Sequence, residues 1–232
     1  MNMYIKNGWP WAGLINTKLE ASKSLVEKII SIWNSTDWGD NFQNYRRPSY
    51  QGAIYPHTRT RQLPGLKIDN ELQDVTNMVY DELKPLFKEN MVVVMAEINC
   101  LIPKGIINWH HDRMAMCYYG SRIILPLFNL EDVIFSFSSW NNNTPIDRND
   151  FSAKSFMDTD IVSTSINSGT YYIFNHRVPH CTVSLSDKPR AMYAIDLVPE
   201  KFYEECSKSI NGKPIFKEIS NGEKTKIIPT IM

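Results

Sequence analysis

In the first ninety residues, apolar positions recur at helical spacing in two stretches. In KLEASKSLVEKIISIWNS, residues 18–35, the side chains Leu19, Leu25, Ile29, Ile30 and Trp33 fall near one stripe, and the spacing predicts a helix. NELQDVTNMVYDELKPLFKEN, residues 70–90, predicts a second, with Asp69 or Asn70 placed to cap it and Pro85 placed to kink or end it early. Residues 37–66 lie between them without clear periodicity and read as loops with short strands. From residue 91 the texture changes. MVVVMAEINCLI, SRIILPLF, DVIFSFSSW, TYYIFNH, CTVSLS and RAMYAIDLV follow one another as short β-branched and aromatic runs separated by turn residues. Strands in sequence without helices between them predict an all-β sandwich or jelly roll, with the two N-terminal helices packed outside. PEKFYEECSKSING predicts a last helix, with Pro199 in its first turn and Gly212 at its stop.

Composition narrows this picture without redirecting it. The 232 residues are 43% hydrophobic, enough for one sizeable core and too apolar for disorder. Lysine and arginine balance aspartate and glutamate at 25 each, so no basic excess points to nucleic acid. Cys100, Cys117, Cys181 and Cys206 are scattered with no CxxC pair, which argues against a thiolate zinc site and fits a reducing compartment. No apolar run is long enough for a signal peptide core or a membrane span, and the expectation is a cytoplasmic protein.

The chemistry concentrates around four of the five histidines. NWHHD holds His110, His111 and Asp112, and FNHRVPHC holds His176 and His180; His57 stands alone in YPHTRT. In extended backbone, residues i and i+2 share a face, so His110 and Asp112 can converge on one ion while His111 points away. A His-x-Asp pair with one distant histidine makes a 2-His-1-carboxylate set, which leaves positions open for a bidentate cosubstrate and dioxygen on Fe(II). Either His176 or His180 can be the distant ligand, and Pro179 argues against one helix carrying both. Farther on, Arg190, Met192 and Ala194 share one face of a predicted strand, and a guanidinium beside a small residue leaves room for a dicarboxylate. The plainer alternative is that Arg190 pairs with Asp187 or Asp196 at the surface.

HHD, then RIILPLF, then GTYYIFNHRVPHCTVSLSDKPRAMYAIDL together resemble the Fe(II)/2-oxoglutarate-dependent oxygenase superfamily over roughly residues 95–198. Within it the pattern is similar to the aspartyl/asparaginyl β-hydroxylase family, which includes free-proline hydroxylases. The resemblance implies a double-stranded β-helix (jelly-roll) core over 91–198, a helical support over 1–90, and a C-terminal helix and tail over 199–232, all in one domain. It selects His180, ten residues before Arg190, over His176. His110, Asp112 and His180 would then bind iron and Arg190 would grip the distal carboxylate of 2-oxoglutarate. Arg122 would touch the cosubstrate or a substrate carboxylate. Ile124 stands where the family often has a histidine.

The activity this implies is oxidative decarboxylation of 2-oxoglutarate to succinate, coupled to hydroxylation of an amino acid, free or within a peptide, with dioxygen as co-reactant. The same chemistry on another small metabolite, or a non-catalytic jelly-roll module that only holds metal, are the alternatives. Arg46, Arg47, Arg59 and Arg61 form a basic run that suits an acidic substrate or, more plainly, a solvated surface. Tyr118, Asn108 and Trp109 are candidates to support the metal ligands.

Overall fold

The computed structural model describes residues 5–6, 9–10, 13–35, 58–61, 70–101, 103–110, 120–138, 161–175 and 179–203. These residues are mainly β, with two α-helices among them. Two short strands, β1 (Ile5–Lys6) and β2 (Trp9–Pro10), pair with each other. The remaining strands are β3 (Leu14–Glu20), β4 (Thr58–Arg61), β5 (Met91–Leu101), β6 (Ile106–His110), β7 (Ser121–Phe128), β8 (Val133–Ser138), β9 (Ile161–Thr164), β10 (Thr170–Phe174), β11 (His180–Ser184) and β12 (Arg190–Pro199). They form a six-stranded sheet in the order β3-β10-β7-β12-β5-β4 and a four-stranded sheet in the order β6-β11-β8-β9, antiparallel throughout.

The period-2 alternation of strands explains why the large sheet has two different faces. Ile123, Leu125 and Leu127 of β7, Ala191, Tyr193, Ile195 and Leu197 of β12, and Ala96 and Ile98 of β5 pack in one cluster with Leu25, Ile29 and Ile32 of helix α1 (Lys23–Ser35) and with Leu72, Val75, Val79 and Leu83 of helix α2 (Asn70–Leu83). Ile124, Tyr172, Phe174 and Ala194 from the opposite face pack with Val133, Phe135 and Phe137 of the small sheet. β12 lies at the centre of the large sheet, covered by helices on one side and the small sheet on the other, and nine of its ten residues are buried. Polar tethers fix α2 to the sheet. The Thr76 and Tyr193 hydroxyls are 2.7 Å apart, and the Tyr171 hydroxyl donates to Glu82 Oε2 at 2.8 Å. Burial, reinforced by the Glu82 carboxylate, pushes the Tyr171 phenol well above its usual range, so it stays a donor.

Several boundaries differ from expectation. The first helix begins at Lys23, not Lys18; Ser22 lies just before it and its carbonyl accepts from Val26 N at 3.1 Å. Residues 14–20 instead form edge strand β3, with an irregularity where Lys18 takes a left-handed φ of 62° and its N–H donates to Asn16 Oδ1 at 2.7 Å. The second helix ends at Leu83, and Pro85 sits in the 3₁₀ turn that follows, where its missing N–H costs nothing. Pro199 ends β12 and caps a 3₁₀ turn, Glu200–Phe202; Tyr203 is helical, and the rest of the expected last helix, 204–212, lies outside the described residues. The N-terminal third also supplies both edge strands of the large sheet, β3 and β4, in addition to its helices. No helix among the described residues is long and apolar enough to cross a membrane.

Pro126 occupies the middle of β7, an interior strand, where proline removes a ladder donor. The register absorbs it: Phe128 opposes Ala191 but Pro126 opposes Met192, so β7 bulges by one residue there. The bulge lies two residues from the start of the segment of β12 that carries Arg190.

Candidate functional site

The two sheets enclose an interior whose walls are set by strand register. On β11, His180 opposes Phe137, Thr182 opposes Phe135 and Ser184 opposes Val133. All three phenylalanine and valine partners belong to the inter-sheet cluster, so His180, Thr182 and Ser184 share the inward face, and all three are buried. On its other side β11 pairs with β6, and His180 opposes His110 directly. Between this pair and the next, Thr182 with Ile107, β6 carries one extra residue. Antiparallel pairing therefore brings together two histidines that are seventy positions apart, beside a bulge of the kind that re-aims a strand end. Inside, the His180 ring meets the Phe174 ring edge-on at 4.8 Å, and the Phe137 ring lies 6.4 Å away.

Asp112 and the side chains of His110 and Asn108 lie outside the described residues, as do His57, His111, His176, Tyr118, Arg46 and Arg47 and the side chains of Arg59 and Arg61. Among the described residues alone, no three His, Cys, Asp or Glu side chains gather as a metal site.

Arg190 is the unusual residue of this interior. It is 0% exposed, its Cζ stands 5.3 Å over the Phe135 ring, and Nη1 donates to the Met192 sulfur at 3.0 Å. Nε and Nη2 are buried with no hydrogen-bond partner. Neither aspartate that could have neutralised it does so. Asp187 pairs with Lys104 at 2.8 Å, and Asp196 pairs with Arg122. Burial pulls the Arg190 pKa down from 12.5 to about 10, which still leaves it charged at neutral pH. A buried cation is costly unless matched, so the unpaired Nε and Nη2 of a buried guanidinium mark a place where an anion belongs. Phe135, beneath the guanidinium, is two residues, one same-face step, along β8 from Phe137, beside His180. One such step along a strand is roughly 7 Å, about the reach of a five-carbon dicarboxylate.

Arg122 is differently placed. It opposes both Phe174 and Asp196, and its Nε and Nη2 donate to the two Asp196 carboxylate oxygens at 2.8 and 2.9 Å. Much of its donor capacity is thus committed to a carboxylate of the protein.

Two polar groups were not singled out from the sequence. Ser184 Oγ and Asn99 Oδ1 are both buried without a hydrogen-bond partner, and Asn99 opposes Met192 across β5 and β12. The alternation His180, Thr182, Ser184 is visible in HCTVS, and it announces a strand with one polar face; burial of that face becomes apparent only once the sheets are packed.

A scan against protein-family models and a search of curated proteins find no match. Solved structures do match. HygX from Streptomyces hygroscopicus, with nickel, 2-oxoglutarate and hygromycin B bound, aligns at TM-score 0.55 and 13% identity over 82% of this chain and 84% of HygX. The non-heme alpha ketoglutarate dependent carbocyclase SnoK, from nogalamycin biosynthesis, aligns at TM-score 0.56 and 12% identity over 82% of this chain and 81% of its own. The corresponding epimerase SnoN, from the same biosynthesis, aligns at 0.55 and 11% over 82% and 78%. At such identities the likeness is one of fold, and the fold is one this chain shares with non-heme, 2-oxoglutarate-dependent enzymes.

Proposed function

We propose that the protein is an Fe(II)- and 2-oxoglutarate-dependent oxygenase. In this reading residues 1–232 form one cytoplasmic domain, iron is held by His110, Asp112 and His180, and 2-oxoglutarate by Arg190. The observation that carries it is the buried Arg190 guanidinium, with Nε and Nη2 unmatched among the described residues, over a phenylalanine one same-face step from the partner of a histidine that directly opposes another. From β5 to β12 consecutive strands pass back and forth between the two sheets, β8 to β9 excepted, an alternation that supports reading the core as an eight-stranded jelly roll. A module that merely held metal would have no use for an unmatched buried arginine.

Bound iron and 2-oxoglutarate would supply the oxidising chemistry, with succinate as coproduct and an aliphatic C–H bond as target. The chain's own contribution is placement and dryness. Arg190 orients the cosubstrate by its distal carboxylate, while Phe137 and Phe174 pack around His180 and keep water from that side of it.

The sequence resemblance favours an amino acid, free or in a peptide, as substrate. A second reading, the same chemistry on a glycosidic or polycyclic metabolite, is favoured by the hygromycin B bound in HygX. Anaerobic titration of the full chain with Fe(II) and 2-oxoglutarate tests the common core. The expected result is a visible metal-to-ligand charge-transfer band that disappears in His110→Ala and His180→Ala. Iron bound by a folded protein with no band would leave a metal-holding module as the better account. Succinate release with panels of amino acids and aminoglycosides then separates the two substrates.

A further inference from the structure

The aromatic wall beside His180 is held in place from a part of the chain that lies well before the jelly-roll strands. Gly13, immediately ahead of edge strand β3, is buried, and its carbonyl accepts from Asn175 N at 2.8 Å, extending the pairing of Leu14 with Phe174 by one residue. It also reaches across to Phe137 of the other sheet. A Cβ added at Gly13 would overlap Cγ and Cδ1 of that ring and stand 2.8 Å from the Phe137 Cβ. The backbone at Gly13 has no positive φ, so the missing side chain serves this close approach and not a turn. Among the described residues the Phe137 ring has two aromatic neighbours, Phe174 at 5.6 Å and His180 at 6.4 Å, and the rings of Phe174 and His180 meet edge-on at 4.8 Å. Close-packed rings pass a displacement on rather than absorb it.

We propose that Gly13 and Phe137 are positioning residues for the metal ligand His180: the glycine sets where the phenylalanine ring lies, and the ring holds the imidazole on its bearing toward the ion. This rests on the reading of His180 as an iron ligand. It makes the metal site depend on the N-terminal third of the chain, outside residues 95–198 that carry the family resemblance.

The test titrates the full chain anaerobically with Fe(II) and, separately, with Co(II), whose visible d–d bands report the geometry of its ligands. Gly13→Ala is expected to weaken Fe(II) by roughly 10–100-fold and to shift the Co(II) bands, the effect of disturbing a group that orients a metal ligand. Phe137→Leu removes the ring that the added methyl would strike, so in that background Gly13→Ala should change neither the affinity nor the bands any further. A glycine with a purely structural role would lower the urea midpoint and leave the Co(II) bands of the folded protein unmoved. Parental affinity and bands in folded Gly13→Ala, or equal losses with and without the Phe137 ring, would overturn the assignment. If Gly13→Ala does not fold, Phe137→Leu decides alone: it takes the ring from beside His180 without adding bulk and must shift the bands, and unshifted bands would overturn the assignment too. Fe(II) binding that survives His180→Ala intact would instead sink the iron-ligand reading, and this one with it.

Discussion

Replacing Arg190 with methionine should give a protein more stable than the parent, by about 1–3 kcal/mol, that no longer binds 2-oxoglutarate. Both effects come from the same fact. The guanidinium is fully buried, its described contacts are a thioether and a phenyl ring, and no described carboxylate neutralises it. An apolar side chain of similar length removes that desolvation cost. The ligand loses a bidentate, charge-assisted contact, which should weaken it at least about a hundredfold while Fe(II) still binds. Urea denaturation and calorimetry read the two effects separately. Their pH dependence adds a third check. Folding lowers the Arg190 pKa from 12.5 to about 10, so between those values the unfolded chain holds more protons and this group makes stability rise with pH. The methionine variant should lack that contribution. In the parent, 2-oxoglutarate affinity should fall as pH rises through about 10, where the folded protein without ligand loses the charge that binds it. A methionine variant less stable than the parent would show that the protein does match this charge.

Breaking the Arg122–Asp196 pair should be costly in the opposite way. Asp196 is 1% exposed at its side chain and Arg122 14%, and the contact is bidentate at 2.8 and 2.9 Å. Arg122→Met strands a carboxylate between the sheets and should destabilise by about 3–5 kcal/mol, whereas Arg122→Met with Asp196→Leu removes both charges and should recover most of the loss. Denaturation of the two variants measures this directly. Because its Nε and Nη2 are committed to Asp196, Arg122 should matter far less than Arg190 to the 2-oxoglutarate dissociation constant. A folded Arg122 variant that loses the cosubstrate would restore the role that the sequence resemblance gave it.

What could be read from the sequence divides along physical lines. SRIILPLF is strand β7 to the residue, and RAMYAIDLV falls short of β12 by one, because central strands buried on both faces read as continuous apolar runs. β3 and β9 were missed: LINTKLE and IVST are half-buried or exposed strands at the sheet edges, where side chains need not be apolar. IINWH was not picked out as strand β6 either, although the extended HHD geometry assumed a strand in that region. The helix expected from Lys18 started late because Leu19 continues the apolar spacing of the helix while belonging to the strand before it. Of the site, the choice of His180 over His176 rests on the family resemblance and its ten-residue spacing to Arg190; the strand register sets His180 opposite His110. That Arg122 would meet Asp196 was invisible, since residues 74 positions apart become neighbours only through the pairing of β7 with β12. The polar wall His180, Thr182, Ser184 was written in the sequence as an alternation, but whether it faced water or the interior depended on which sheet would cover it.

The position of β12 has a consequence for how the molecule is made. β5 and β7 do not pair with each other; each pairs with β12, the last strand in chain order among the described residues. Until residue 199 has emerged, both strands present open edges, Arg190 has no interior to enter, and the large sheet is two separate pieces. Closure of the large sheet must therefore wait for β12 and then form many long-range contacts together, which is slow and exposes apolar strand edges meanwhile. Nascent chains that stall before β12 should be substrates for chaperones and proteases.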